Sequence, residues 1–326
     1  MIWDKQVMRI FVPAACAALL VTAQGSAQVD LEQAGTDHVS IAINGQPFSV
    51  FHMAGAKPFL APLKTASGVI VTRRFPMEMV EGESRDHPHH CGLWIGYGDV
   101  NHINFWENAP ESKVSPGNPT DKGTLVLRKV DSVSPGKKSG TISATFAWRA
   151  PNGEDVLEEK RTITFYADPD VRIVDVDSTF TADVPAKFGD TKEGFFAIRL
   201  ADSMIEKNGG LMTNSEGAQT EKHVWGKRAE WVDYDGMVEG RKVGIVIFDN
   251  PANYNHPPRW HARAYGLFAV NPFGVKDFDP QATETGGHEL ARGETMRLRY
   301  RVIVHAGDVT KKKIGEWYSD YTKKTR

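Results

Sequence analysis

The sequence predicts an all-β protein, an antiparallel sandwich or barrel closed by a short C-terminal helix. Three observations carry this. Turn signals recur at short, regular spacing, as at Asn44-Gly45, Pro135-Gly136, Asn152-Gly153 and Asp168-Pro169. The runs between them alternate in the two-residue period of a strand, with Ile142, Ala144, Phe146 and Trp148 falling on one face. Helical spacing is clear only near the end, where Ile314, Trp317, Tyr318 and Tyr321 share a face behind Asp308 as candidate cap.

Taken in order, 39–43 and 46–52 form a hairpin about Asn44-Gly45. Residues 57–63 are extended and pinned by Pro58 and Pro62, and 68–73 read as a strand. A loop opens at Asp86, because Pro88 and the residue before it resist helix. Residues 92–97 then read as a buried strand, and 107–122 as a Pro/Gly/Ser/Asn-rich loop. Strands follow over 124–130, 141–149, 159–166 and 171–180. The second half continues with strands at 192–200 and 242–248, a loop over 249–260, and strands at 264–270 and 296–304. There is no tandem repeat and no sharp shift in composition, so one domain is expected over 28–326.

The first 27 residues have the layout of a secretory signal: Lys5 and Arg9, an apolar run over 10–23, then small residues allowing cleavage after Ala23 or Ala27. This predicts a periplasmic or secreted protein, and no later segment reads as a membrane span. A formal net charge of −2 over 326 residues argues against a nucleic-acid partner. With Cys16 removed, Cys91 stands alone and reads as a buried, inert thiol.

One stretch is denser in functional chemistry than any other. Between Arg85 and Trp106 lie four of the eleven histidines, with Asp86, Asp99, Trp94, Trp106 and Tyr97. In extended chain, His87 and His89 project to one side and His90 to the other. Three readings stay open. Imidazoles can hydrogen-bond sugar hydroxyls and move protons while an aromatic face meets the C–H side of the ring. Two imidazoles with His102 or His261 could hold Zn, Mn, Cu or Fe, although the spacing matches no standard metal motif. The bland alternative is a histidine-rich turn satisfied by backbone carbonyls.

A second constellation, 249–261, ends in Trp260 and His261, with Asn271 beyond, on a loop between apolar strands. A third puts Glu193 beside Gly194, just ahead of a strand, where it could act as a base. No Gly-rich nucleotide loop, Gly-x-Ser-x-Gly elbow, His-Glu-x-x-His or calcium loop occurs.

The motif Asp86-His87-Pro88-His89-His90-x-Gly-Leu-Trp, followed by Gly98-Asp99-Val100-Asn101 and Asn104-Phe105-Trp106, resembles the PmoA-like family of exported bacterial proteins. So do Trp231-Val232-Asp233-Tyr234-x-Gly and Trp260-His261-x-Arg263-x-Tyr265-Gly266-Leu267-Phe268-Ala269-x-Asn271-Pro272-Phe273-Gly274. The resemblance implies a galactose-mutarotase-like β-supersandwich and a place in carbohydrate metabolism. It does not imply methane oxygenation, which belongs to an integral membrane subunit. It supplies no catalytic residues, so the roles rest on the residues themselves.

The expectation is a carbohydrate-active enzyme working by acid–base chemistry: hydrolysis, elimination or epimerisation. His87, His89 and His261 are the acid/base candidates, with Glu193 as carboxylate partner. Trp106 and Trp260 are the stacking platforms. Arg85, Asp86, His90, Trp94, Asn101, His102 and Asn271 are the further substrate contacts. No cofactor is assigned. A divalent metal on the histidines and a non-catalytic sugar-binding protein are the alternatives.

Overall fold

The computed structural model describes residues 28–324. The expected signal segment lies outside the described residues. Two eight-stranded antiparallel sheets pack face to face. The first contains β1 (Val29–Ala34), β2 (His38–Ile43), β3 (Gln46–His52), β4 (Phe59–Ala61), β5 (Leu93–Tyr97), β11 (Gly194–Arg199), β15 (Arg259–Ala262) and β16 (Leu267–Asn271). Its order is β1-β2-β3-β4-β5-β11-β16-β15. The second contains β6 (Thr124–Ser134), β7 (Ser139–Arg149), β8 (Asp155–Tyr166), β9 (Arg172–Ala182), β12 (Leu211–Asn214), β13 (Trp231–Val238), β14 (Arg241–Asp249) and β18 (Thr295–Ala306). Its order is β12-β13-β14-β18-β9-β8-β7-β6. A small pair, β10 (Ala186–Phe188) and β17 (His288–Leu290), lies apart. The helices are α1 (Glu221–Val224) and α2 (Lys311–Lys324). The fold is the expected antiparallel β-sandwich with a short C-terminal helix.

The alternation read from sequence does the work. Ile142, Ala144, Phe146 and Trp148 on β7 all face the core between the sheets. Aromatic rings meet across that gap, with Phe196 of β11 stacked on Tyr300 of β18 at 4.5 Å. The hairpin turn at Asn44-Gly45 takes positive φ at both residues, the type I′ geometry that matches strand twist. Two charges also enter the core. Glu159 accepts from Trp148 Nε1 (2.9 Å), Ser178 Oγ (2.8 Å) and Arg161, so the buried pair is fully hydrogen-bonded.

Three element readings change. Residues 68–73 make only isolated bridges, Lys64 to Ile70 and Thr72 to Leu200, because Gly68 turns the chain and Arg73 leaves it to hold a loop. The C-terminal helix is capped by Thr310, whose Oγ1 accepts from Lys313 N at 3.2 Å, and not by Asp308. The 249–260 loop is shorter than expected, since Arg259–Ala262 pairs with β16 as an edge strand. Helix α2 lays Ile314, Tyr318 and Tyr321 on the outer face of the second sheet, against Trp231, Val246, Phe248 and Ile303.

Candidate functional site

The outer face of the first sheet is covered by loops and not by a helix. Register places Phe59, Trp94, Ala197, Ala269 and His261 in one row across β4, β5, β11, β16 and β15. The two alanines leave a low floor between a tryptophan and an imidazole. Two glycines permit this geometry. A Cβ on Gly92 would lie 2.1 Å from the Leu60 carbonyl, at φ +53°. A Cβ on Gly98 would lie 2.7 Å from Glu193 Cβ.

Loop 85–91 folds over this floor, and Arg73 is its template. Arg73 is fully buried. Its Nη1 donates to the Asp86 carbonyl (2.8 Å) and to Asp86 Oδ1 (2.7 Å), and its Nη2 to the His87 carbonyl (2.9 Å). Arg199 Nη2 donates to the same carboxylate oxygen at 2.8 Å. The other carboxylate oxygen pairs with His87 Nδ1. Burial alone would raise the Asp86 carboxyl, but the His87 N–H and the two guanidiniums hold it well below the usual carboxylate range. An ionised Asp86 fixes His87 with its proton on Nδ1 and leaves Nε2 for a ligand.

The extended-chain expectation for the histidines fails, because the chain turns at His87. His87 has φ 46°, and His90 N donates back to its carbonyl at 3.0 Å. All three rings therefore converge. His87 stacks on His90 (4.8 Å between centroids) and, on its other side, on Tyr265 (5.2 Å), with planes within 5° in both cases. His89 meets His90 edge-on at 4.4 Å. His90 also stacks on Trp94 at 5.2 Å and accepts from Arg199 at Nδ1 (3.3 Å). Burial pushes His89 and His90 well below the ordinary imidazole range, and the neighbouring cations reinforce it. Both are neutral. His89 Nδ1 is paired with Ser112 Oγ at 3.0 Å, so the second acid/base candidate is held rigidly.

Loop 104–118 closes the other side. Glu107 is 2% exposed and accepts from Asn104 Nδ2, Ser115 N, Ser115 Oγ and Asn118 Nδ2. Lys57 donates to the Trp106 carbonyl (2.6 Å) and Asn108 Oδ1 (3.1 Å), over the faces of Trp94 and Trp106. Burial brings its pKa down to about 7.

Glu193 and His261 come together on the same sheet face, with Nδ1 to Oε2 at 3.8 Å. Burial raises the Glu193 carboxyl and lowers the His261 imidazole, favouring the neutral form of each. The indole N–H groups of Trp94 and Trp106 are buried with no hydrogen-bond partner in the chain. Buried polar atoms of that kind are rare and are met by water or a ligand.

Other candidates lie apart. Trp260 faces inward, since strand alternation that turns His261 out turns its neighbour in. It stacks on Phe268 in the core and donates from Nε1 to the Ala229 carbonyl at 2.9 Å, so no ring face is open to a ligand. Asn101 and His102 form an exposed turn. Asn101 Nδ2 donates to the Pro185 carbonyl (2.9 Å), and the His102 ring is 88% exposed near Asp99. Asn271 is a loop cap, accepting from Phe273 N and Gly274 N. Arg85 is exposed at the cleft wall. Cys91 is free, and burial pushes its thiol up.

Sequence reasoning missed Arg73, Lys57, Glu107 and Tyr265. The signal available was charge inside apolar strand-like runs, as with Arg199 between Ile198 and Leu200. Among the described residues, no three His, Cys, Asp or Glu side chains are grouped to hold a metal ion. No helix among them is long and apolar enough to cross a membrane.

The profile of one sequence family, DUF6807, a family of unknown function, matches residues 38–319. The chain belongs to that family. Comparison with curated proteins finds no match. Among solved structures it is similar to a galactose mutarotase-like protein from Clostridium acetobutylicum, at 8% identity and TM-score 0.42, covering 86% of this chain and 99% of that one. It is also similar to a polysaccharide lyase, at 13% identity and TM-score 0.35, covering 87% of this chain and 33% of that one. A third is the heparan sulfate lyase HepC from Pedobacter heparinus, at 9% identity and TM-score 0.35, covering 84% and 34%. The chain thus spans about a third of the length of either lyase.

Proposed function

We propose that this DUF6807 protein is a carbohydrate-active enzyme that uses His87, oriented by Asp86, as its acid–base group. The single observation that carries this is the pair itself. A carboxylate clamped by two buried arginines holds an imidazole that lines a cleft of about 750 Å³. That volume lies in the range of small-molecule sites. Flat rings and dispersed polar groups suit a ligand with C–H faces and hydroxyl edges. The likeness of the histidine motif to the PmoA-like exported proteins supports the same reading.

Two carboxylates flanking one bond would suit hydrolysis. Here Asp86 is committed to Arg73, Arg199 and His87, and Glu107 to its four donors. The arrangement better suits chemistry that starts with His87 taking a proton from a sugar carbon. In elimination the C=C bond forms as the neighbouring C–O bond breaks and the proton passes to the departing oxygen; in epimerisation a second acid reprotonates the carbon from its opposite face. Glu193 and His261 are second-proton candidates on the same face.

The test is turnover of a panel of glycosides, uronides and free sugars by wild type and His87→Ala. The expected loss is roughly 10²–10⁴-fold, measured well below the variant's own melting temperature and with its circular dichroism spectrum unchanged. Equal turnover by the variant overturns the assignment. Saturable binding with no turnover by either protein makes this a binding protein.

A further inference from the structure

Two clefts, not one, open beside the Asp86–His87 pair. The larger, about 750 Å³, is walled by His87, His89 and Glu107, with Arg85 and Lys113 at its rim. The smaller, about 570 Å³, is walled by Arg199 and Tyr265, with Lys207 and Asn208 at its rim. Asp86 lines both.

We propose that the two clefts are sub-sites of one groove, and that the ligand is an oligosaccharide of at least two sugar units lying across the His87–Tyr265 stack. This rests on the reading of the site as a sugar site. Each cleft alone is large enough to be a small-molecule site, so a single monosaccharide would leave one of them unused. The two rings that separate the clefts, His87 on one side and Tyr265 on the other, are parallel within 5°. Stacked face to face, they present a narrow ridge of ring edges between the clefts, and the junction between two units would cross it next to the one oriented imidazole.

A second observation points to an extended ligand. Segment 74–84 borders both clefts, with Phe75 at the larger and Gly82 and Ser84 at the smaller. One segment thus walls both clefts, as the edge of a single groove would.

The experiment is calorimetric titration of the protein with mono-, di- and trisaccharides of glucose, galactose, glucuronic acid and galacturonic acid, alongside two blocking variants. Lys113 and Lys207 are exposed rim residues of the larger and smaller cleft, so Lys113→Trp and Lys207→Trp each obstruct one cleft without touching the core. The expected result is at least tenfold tighter binding of a disaccharide than of its monosaccharide. Each variant should abolish that gain, and one of the two should leave monosaccharide binding intact. Equal affinity for mono- and disaccharide, or a disaccharide gain that survives either block, overturns the groove and leaves the acid–base assignment standing. No binding of any saccharide at any length overturns both.

Discussion

Lys57 gives a prediction with a definite sign. The residue is 3% exposed, and its amine is held by the Trp106 carbonyl and Asn108 Oδ1. Burial is the main cause of a pKa that falls from 10.5 to about 7, opposed by Cys91 and Glu107. Below pH 7 the lysine is protonated both folded and unfolded, so the cost of burying the charge is fully present and independent of pH. Between pH 7 and 10.5 the unfolded chain binds a proton that the folded protein does not, and stability rises with pH. At about 1.4 kcal/mol per unit, the whole effect is on the order of 5 kcal/mol. Lys57→Met removes the charge but leaves the Trp106 carbonyl and Asn108 Oδ1 without a donor, at about 1–3 kcal/mol. The variant should therefore be more stable than wild type by a few kcal/mol at pH 6, and the advantage should vanish or reverse by pH 9.5. Urea unfolding of both proteins at half-unit steps measures the difference, in which groups common to both cancel. A difference that stays flat from pH 6 to 9.5 would refute a lysine buried at this site with a lowered pKa.

Three further outcomes follow from the same geometry. Arg73→Met strips the Asp86 and His87 carbonyls and the Asp86 carboxylate of a buried donor, and should cost about 3–5 kcal/mol in urea unfolding; the half-exposed Asp86 pair is partly screened, so most of the loss comes from the carbonyls, and a loss under about 1 kcal/mol contradicts the template role. Trp260→Ala should cost about 3–5 kcal/mol as a core cavity while leaving saccharide affinity of the folded protein unchanged; lost affinity at unchanged stability would place that ring on the ligand. If 1–27 is an export signal, Edman sequencing of the protein recovered from culture should begin at Gln24 or Gln28, whereas an intact Met1 or purely cytoplasmic recovery contradicts it.

The fold was legible because period-two alternation survives in long strands such as β8 and β9, where one face is more deeply buried than the other. It blurred where pairing is fragmentary. Residues 68–73 are β-branched and apolar, yet Arg73 is pulled toward Asp86 and the segment makes bridges instead of a strand. The site was half legible. Histidine density pointed to loop 85–91, but the direction of each ring depended on the left-handed turn at His87, which a run of ordinary residues does not announce. Trp260 and His261 show the limit in one step. Adjacent residues on a strand point to opposite faces, and sequence alone did not say which face held the core. Arg73, Arg199 and Tyr265 were invisible as partners because they reach Asp86 and His87 from 13, 113 and 178 residues away in sequence, respectively.

The two outer faces of the sandwich differ for a physical reason. On the second sheet Trp231, Val246, Phe248 and Ile303 present a bulky apolar surface that water would penalise, and α2 covers it with Ile314, Tyr318 and Tyr321. On the first sheet the central positions are Ala197 and Ala269, too small to offer a helix much to bury. What packs on them is Trp94 and Trp106, whose indole N–H groups have no partner in the chain, under two loops held by the buried charges of Arg73 and Glu107. A surface of that kind gains little by binding apolar protein and much by binding a ligand that brings hydrogen bonds and C–H faces together. The small residues at the sheet centre, more than the histidines alone, are what leave room on this face for the histidine loop.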